Sequence, residues 1–461
     1  MLKKASILTL IFVMSFLVFT GFGCKGLSKK EQQAIQPVTL EYWTVFDDVD
    51  ALNATIAKWR IDRPHITVNV RQLRLEELYP RLVEALAEDR GPDIISIRNR
   101  WVKTFQSKLA PMPEGARDTT VQIIKNQFST ETKINSRDYA LPTVLDIERN
   151  FVQTVKSDVV VEGRVYGLPL SLDALAIYYN KDILDRAGVA EPPKTWEEFQ
   201  AAVKKVTKYD RTSGKVTQSG VAIGSGENVP GVDDILYVLY RQSNVDFVAR
   251  SGQAVFNYAP RNNDISPAMN VMNFYTDFSN PARDTYSWNK DLGNAFDSFV
   301  QGKAGFFFGY SYHYPLIKAR APQLNFEVMS MLQLNNEQPV NVANYWIQTV
   351  VAKSKNQNEA WNLVNSLTYT KLVKEYLDLS KRPTALRALI NEQKDKIELA
   401  PFISQVLVAE NWYRGRNYEA ALKAIQDMVD EWNAVPFDND KVMQLKQNVL
   451  NRGATKVNQT L

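Results

Sequence analysis

The residues most able to do chemistry on a small molecule are rings and charges placed at the ends of expected strands. Trp43, Trp101, Trp288, Tyr310, Tyr312, Tyr345 and Trp346 stand at predicted strand ends or in loops, with Arg98 and Asp173 in comparable places. A flat apolar ring can stack against the C–H face of a sugar, and a charged group makes short, strong hydrogen bonds to hydroxyls. Taken singly, each ring serves a core equally well, and it is their recurrence at strand ends that points to binding. Asp173 lies in an otherwise apolar run and has two readings, an edge-strand carboxylate facing water or a polar group lining a cleft. Arg100 beside Arg98 leaves room for an anionic ligand.

Reactive chemistry finds little support. The chain has two histidines, His65 and His313, and one cysteine. These give no HExxH spacing, and neither a Gly-x-Ser-x-Gly elbow nor a phosphate-cradling loop occurs. Gly224-Ser-Gly-Glu-Asn-Val229 comes near a dinucleotide loop but has Val229 where a third glycine belongs. Asp47, Asp48 and Asp50 lack the turn glycine and closing Glu of a calcium loop and read better as helix caps. No catalytic residue, metal or cofactor is expected. Two carboxylates distant in sequence could still serve glycoside hydrolysis, which stays as a lesser alternative.

The elements that must position these groups follow from hydrophobic periodicity. Val38 to Trp43, Pro64 to Val70 and Asp93 to Ile97 read as strands, with helices at Ala51 to Trp59 and Leu75 to Asp89 between them. This order predicts a parallel sheet covered by helices, and ligands in such sheets bind beyond the carboxyl ends of the strands, here Trp43 and Arg98. From Pro169 the chain alternates, with Leu170, Leu172, Ala174 and Ala176 on one face and Ser171, Asp173, Leu175 and Ile177 on the other. Thr195 suits the N-cap of a later helix, and a further helix opens at Ser266-Pro267. Residues 302–309 and 341–351 read as strands, and helices fill the C-terminus. Residues 102–160 give no clear pattern.

A chain of 461 residues suggests two to four domain-sized cores, and a net charge of +4 without a basic, aromatic-interleaved helix gives no reason to expect a nucleic-acid partner. Cys24 admits no intrachain disulfide. Lys3 and Lys4, an apolar run from Ala5 to Phe19, and then Gly21, Gly23 and Cys24 read as a signal peptide over residues 1–24 that ends at a lipoprotein cysteine. Gly21 and Phe22 depart from the usual Leu and the usual small residue. A lipid at Cys24 would hold the protein on the outer face of the cytoplasmic membrane, with residues 25–37 as a flexible tether.

Several motifs then carry a resemblance. Gly163-Arg-Val-Tyr-Gly-Leu-Pro169, Tyr178-Tyr-Asn-Lys-Asp182, Ala187-Gly-Val189 and Pro192-Pro-Lys-Thr-Trp-Glu-Glu-Phe199 occur in this order. Together they resemble the core signature of bacterial extracellular solute-binding proteins of the maltose-binding-protein type. Gly302-Lys-Ala-Gly-Phe-Phe-Phe-Gly309, Ser354-Lys-Asn356 and Arg382-Pro383 extend it, while Tyr345 and Trp346 stand where the family has glycines. The resemblance implies a two-lobed, type II periplasmic-binding-protein-like α/β fold. Each lobe would be a mostly parallel sheet flanked by helices, with the ligand cleft between lobes. It places residues 38–177 and 348–399 in an N-terminal lobe, and 178–347 and 400–461 in a C-terminal lobe, and it implies an insertion at residues 102–160. It further implies a monomeric receptor, with a sugar or related solute as ligand and the permease subunits of an ABC importer as partners. A surface lipoprotein of the same fold used for sensing or adhesion is the alternative.

Overall fold

The computed structural model describes residues 27–125, 130–249, 251–258, 266–436 and 441–461. Cys24 and the signal sequence lie outside the described residues.

Two large sheets form the centres of two lobes. In the first, Val38–Thr44 pairs in parallel with Ile66–Gln72 and with Ile94–Arg98, through Val38 opposite Ile66 and Tyr42 opposite Ile94. The predicted strand–helix–strand order produces this arrangement. Asp48 caps the intervening helix Val49–Arg60, accepting from the Ala51 amide at 2.9 Å. Trp346–Val351 joins antiparallel to Ile94–Arg98 and is flanked by Leu109–Ala110 and Leu168–Pro169. The second sheet runs Lys208–Tyr209, Val216–Val221, Ala304–Gly309, Ala176–Asn180, Phe326–Ser330. Only its pair Val216–Val221 with Ala304–Gly309 is parallel. Both sheets are therefore mixed, with more antiparallel than parallel pairs, instead of the mostly parallel sheets expected. The strands that arrive from the other lobe enter without a helical crossover, so they run against their neighbours.

A third, small sheet lies between them, with Asp173–Ala174, Asn341–Asn344 and Ala409–Glu410 side by side. The segment from Leu168 to Asn180 thus gives one short strand to each of the three sheets. The alternation expected there is not observed, since from Leu168 onward every residue but Ser171 is buried. A strand that threads from one lobe's core to the other's is covered on both faces. Gly167 opens this segment because a Cβ there would stand 2.4 Å from Ile347 Cγ2 and 2.7 Å from the Gln348 carbonyl. Residues 341–351 likewise divide at Tyr345 instead of forming one strand.

Residues 102–160 contain a long antiparallel hairpin, Gly115–Lys125 with Thr130–Ala140. It is fastened to the first lobe by the Arg63 guanidinium, whose two bonds to Asp118 measure 2.8 and 2.7 Å, and by Asn358 on the Arg117 backbone. The stretch expected to be a structureless tether carries the helix Lys29–Ala34. A reciprocal capping box between Ser28 and Glu31 starts it, and none of its residues is buried. At the other end of the chain, Tyr418–Asn433 packs on Val442–Asn458 and on the second lobe's helices, with Trp432 in that core as expected.

Candidate functional site

The site is built where the three sheets meet. Asp173 sits in the small middle sheet opposite Asn344 and is 6% exposed. Its Oδ2 accepts from the Ser311 amide at 2.8 Å and the Ser311 hydroxyl at 2.5 Å, while Oδ1 is buried without a partner. Of its two readings, the edge-strand carboxylate facing water is not observed, since the side chain is buried. Burial pushes its pKa up to about 7, against the pull of the Ser311 hydrogen bonds and the Arg382 charge.

Ser311 belongs to the turn that follows the strand Ala304–Gly309. His313 holds this turn, since its Nδ1 accepts from the Tyr310 amide at 3.0 Å. Burial depresses the His313 pKa to about 3, so the imidazole stays neutral and acts as an acceptor. The turn directs the Tyr310 hydroxyl onto Asp234 Oδ2, at 2.6 Å, and leaves Tyr312 half-buried beside it, the two rings stacked 5.9 Å apart.

Across from this turn, the strand Ile94–Arg98 runs into a single 3-10 turn, Asn99–Trp101. This turn sends Arg100 into the second lobe. Its Nη1 donates to Asp233 at 2.9 Å and to the Tyr418 hydroxyl at 2.7 Å, and Nε donates to Asn411 at 3.2 Å. Nη2 donates to Asp234. The guanidinium lies over the rings of Tyr418 and Trp412, 4.9 and 5.6 Å from their centroids. Tyr418 and the Trp412 indole also donate to Asp233. Burial, and then the neighbouring Asp234, raises the Asp233 pKa.

Beside this network runs a wall of rings. Trp346 is half-buried and lies 5.2 Å from Phe46 and 5.7 Å, edge-on, from Trp101. Phe46 reaches Tyr312 of the other lobe at 5.9 Å. Arg98 lies over Trp101 and Tyr418, at 5.8 and 5.4 Å, and Arg382 lies over Tyr312 at 5.7 Å. The buried Nε of Arg98 has no hydrogen-bond partner.

Of the expected set, Arg98, Trp101, Asp173, Tyr310, Tyr312 and Trp346 come together here. Three others are placed elsewhere. Trp288 is fully buried in the second lobe, its indole N–H on Asn228 at 3.2 Å. Trp43 is in the core of the first sheet beneath Arg71. Tyr345 turns its hydroxyl to Asp158, at 2.7 Å, and is 3% exposed. Trp43 and Tyr345 stand at strand ends with their side chains on the covered side of the sheet, and Trp288 lies in a loop that folds back into the second lobe's core. Sequence reasoning missed Phe46, Asp233, Asp234, Arg382, Asn411 and Tyr418. The signals were slight, because two acids opening an apolar helix read as partners of its dipole. The near-dinucleotide loop is packed against the helix Tyr418–Asn433, with the Gly226 amide on Asp430 at 3.2 Å.

Residues 46–371 match the family of bacterial extracellular solute-binding proteins. The chain belongs to this family. This solute-binding protein is 22% identical over 316 residues to a binding protein of Brucella abortus, a match covering 66% of the chain and 65% of the relative. The chain thus spans just under two thirds of that relative's length. It is 21% identical over 409 residues to the multiple sugar-binding protein of Streptococcus mutans, covering 86% of each. Its fold is similar to that of the cyclic alpha-maltosyl-1,6-maltose binding protein from Arthrobacter globiformis. The TM-score is 0.67 at 16% identity, over 92% of this chain and 98% of that one. The fold is the two-lobed, type II periplasmic-binding-protein-like one expected.

Proposed function

We propose that this solute-binding protein is a carbohydrate receptor that delivers its ligand to an ABC importer by closing its lobes. The observation that carries the reading is the wall of Phe46, Trp346 and Tyr312, which draws on both lobes and stands beside polar atoms that lack partners. Rings of this kind suit the C–H faces of a sugar, and Arg98 Nε and Asp173 Oδ1 suit its hydroxyls. The sugar-binding relative from Streptococcus mutans supports the choice of ligand. The lobes would be residues 38–177 with 348–399 and residues 178–347 with 400–461, turning about the three strands of the middle sheet. Ligand affinity for the closed form would shift the population that the permease recognises. The protein would act as a monomer with no catalytic step, held to the membrane through a lipid on Cys24.

A thermal-shift screen against oligosaccharides, polyols, sugar phosphates and amino acids tests this. A ligand at about 100 times its dissociation constant adds about 2.7 kcal/mol of stability. A shift with a sugar class is expected, and a shift with amino acids alone would overturn the carbohydrate assignment. The buried Arg100 network, which occupies space between the lobes, favours a second reading as a sensing or adhesion lipoprotein. A folded sample that no solute stabilises would support it.

A further inference from the structure

Two guanidinium groups reach the ring wall without forming an ion pair among the described residues, although the charge of Arg98 acts on Asp233 and that of Arg382 acts on Asp47 and Asp173. Arg98 is half-buried, and among the described residues it makes no ion pair and its Nε no hydrogen bond. Arg382 is half-buried too, and its Nη2 has only the Phe46 carbonyl, at 3.2 Å. Both charges act on the Tyr312 hydroxyl, which burial raises to a pKa of about 12 and which they pull down. Arg382 lies over Tyr312 at 5.7 Å and Arg98 over Trp101 at 5.8 Å, at the two ends of the ring series Tyr312, Phe46, Trp346, Trp101.

The acids of the cleft are engaged elsewhere. Asp233 and Asp234 are bound by Arg100, and Tyr418 and Trp412 also donate to Asp233 Oδ2 and Tyr310 to Asp234 Oδ2, while Asp233 Oδ1 is buried without a partner. Asp47 is held by the Thr44 hydroxyl at 2.6 Å and by the Gln348 amide at 3.3 Å. Asp173 spends its Oδ2 on Ser311, and burial keeps it partly protonated near neutral pH. A guanidinium that has lost part of its hydration and has no acceptor is costly, and a planar acid group presented by a ligand would satisfy it with paired hydrogen bonds.

We infer that the solute taken by this site is an acidic carbohydrate, its acid group held between Arg98 and Arg382 while its ring stacks on Trp346, Phe46 and Tyr312. This rests on the carbohydrate reading above and narrows it. Carboxylate, sulfate and phosphate esters share the chemistry that the two guanidinium groups would recognise.

Isothermal titration calorimetry on the purified protein separates these cases. The probes are digalacturonate, a sulfated galactobiose and glucose 6-phosphate, each beside its neutral counterpart. One acidic probe should bind at least tenfold more tightly than its neutral partner, and the excess should shrink as salt rises from about 0.05 to about 0.5 M, where the screening length falls severalfold. The probe that wins names the acid group. Arg98→Gln and Arg382→Gln should bring the acidic-to-neutral ratio toward one. Neutral probes binding as tightly as acidic ones would overturn the inference and keep the carbohydrate reading. Variants that retain the full ratio would also overturn it. Failure of every sugar, acidic or neutral, would overturn both. The wild-type ratio and its salt dependence decide the matter even where a variant folds poorly.

Discussion

Arg100 of the first lobe donates to Asp233 of the second at 2.9 Å, and each side chain is 1% exposed. The pair ties the lobes together at a place that only their approach creates. Removing the cation leaves Asp233 beside Asp234 without compensation, a change that costs about 3–5 kcal/mol in buried pairs. Arg100→Met should therefore lower denaturation stability strongly at pH 8. The loss should be smaller at pH 5, because the raised pKa of Asp233 lets it take up a proton there. Urea titrations at the two pH values check this, and equal losses would count against it.

Asp173 makes a second pH-dependent contribution. Its folded pKa of about 7 lies above the unfolded value, so the fold favours the protonated form. The associated stability is complete below the unfolded pKa and is lost as pH rises through about 7, by up to about 4 kcal/mol at 1.36 kcal/mol per unit. Asp173→Asn should flatten this part of the pH profile and melt above the wild type at pH 8. A variant that melts lower at pH 8 would show that the ionised carboxylate is the favoured form.

Trp346 and Trp288 should respond oppositely to truncation. Trp346 is half-buried on the ring wall, and Trp346→Ala should lower ligand affinity by roughly tenfold, as anchoring aromatics do, with a modest change in melting temperature. Trp288 lies wholly in the second lobe's core. Trp288→Ala should destabilise by about 3–5 kcal/mol while the folded fraction binds normally. Parallel melting and calorimetry on both variants make the comparison.

Gly167 is crowded by Ile347 Cγ2 and the Gln348 carbonyl. Gly167→Ala would push apart the strands Leu168–Pro169 and Trp346–Val351, and a loss of about 1–3 kcal/mol is expected from overpacking. Chemical denaturation measures it, and an unchanged midpoint would mean that the strands move apart freely.

The sequence by itself determined the local elements and the family. Alternation and helical periodicity located Val38–Thr44, Ile66–Gln72 and Ile94–Arg98, and Asp48, Thr195 and Ser266 cap the helices expected of them. These features depend on neighbours in the chain, so spacing reveals them. Only the tertiary structure decided which strand-end side chains meet. Trp346 and Trp288 look alike in sequence, yet one is half-buried among the rings of Phe46 and Trp101 and the other lies in a core, because sheet face and lobe contact are set by residues far away. Arg100 finds Asp233 across 133 positions and Tyr418 across 318. No local pattern marks such a pair, since burial of charge becomes affordable only when both lobes supply its partners.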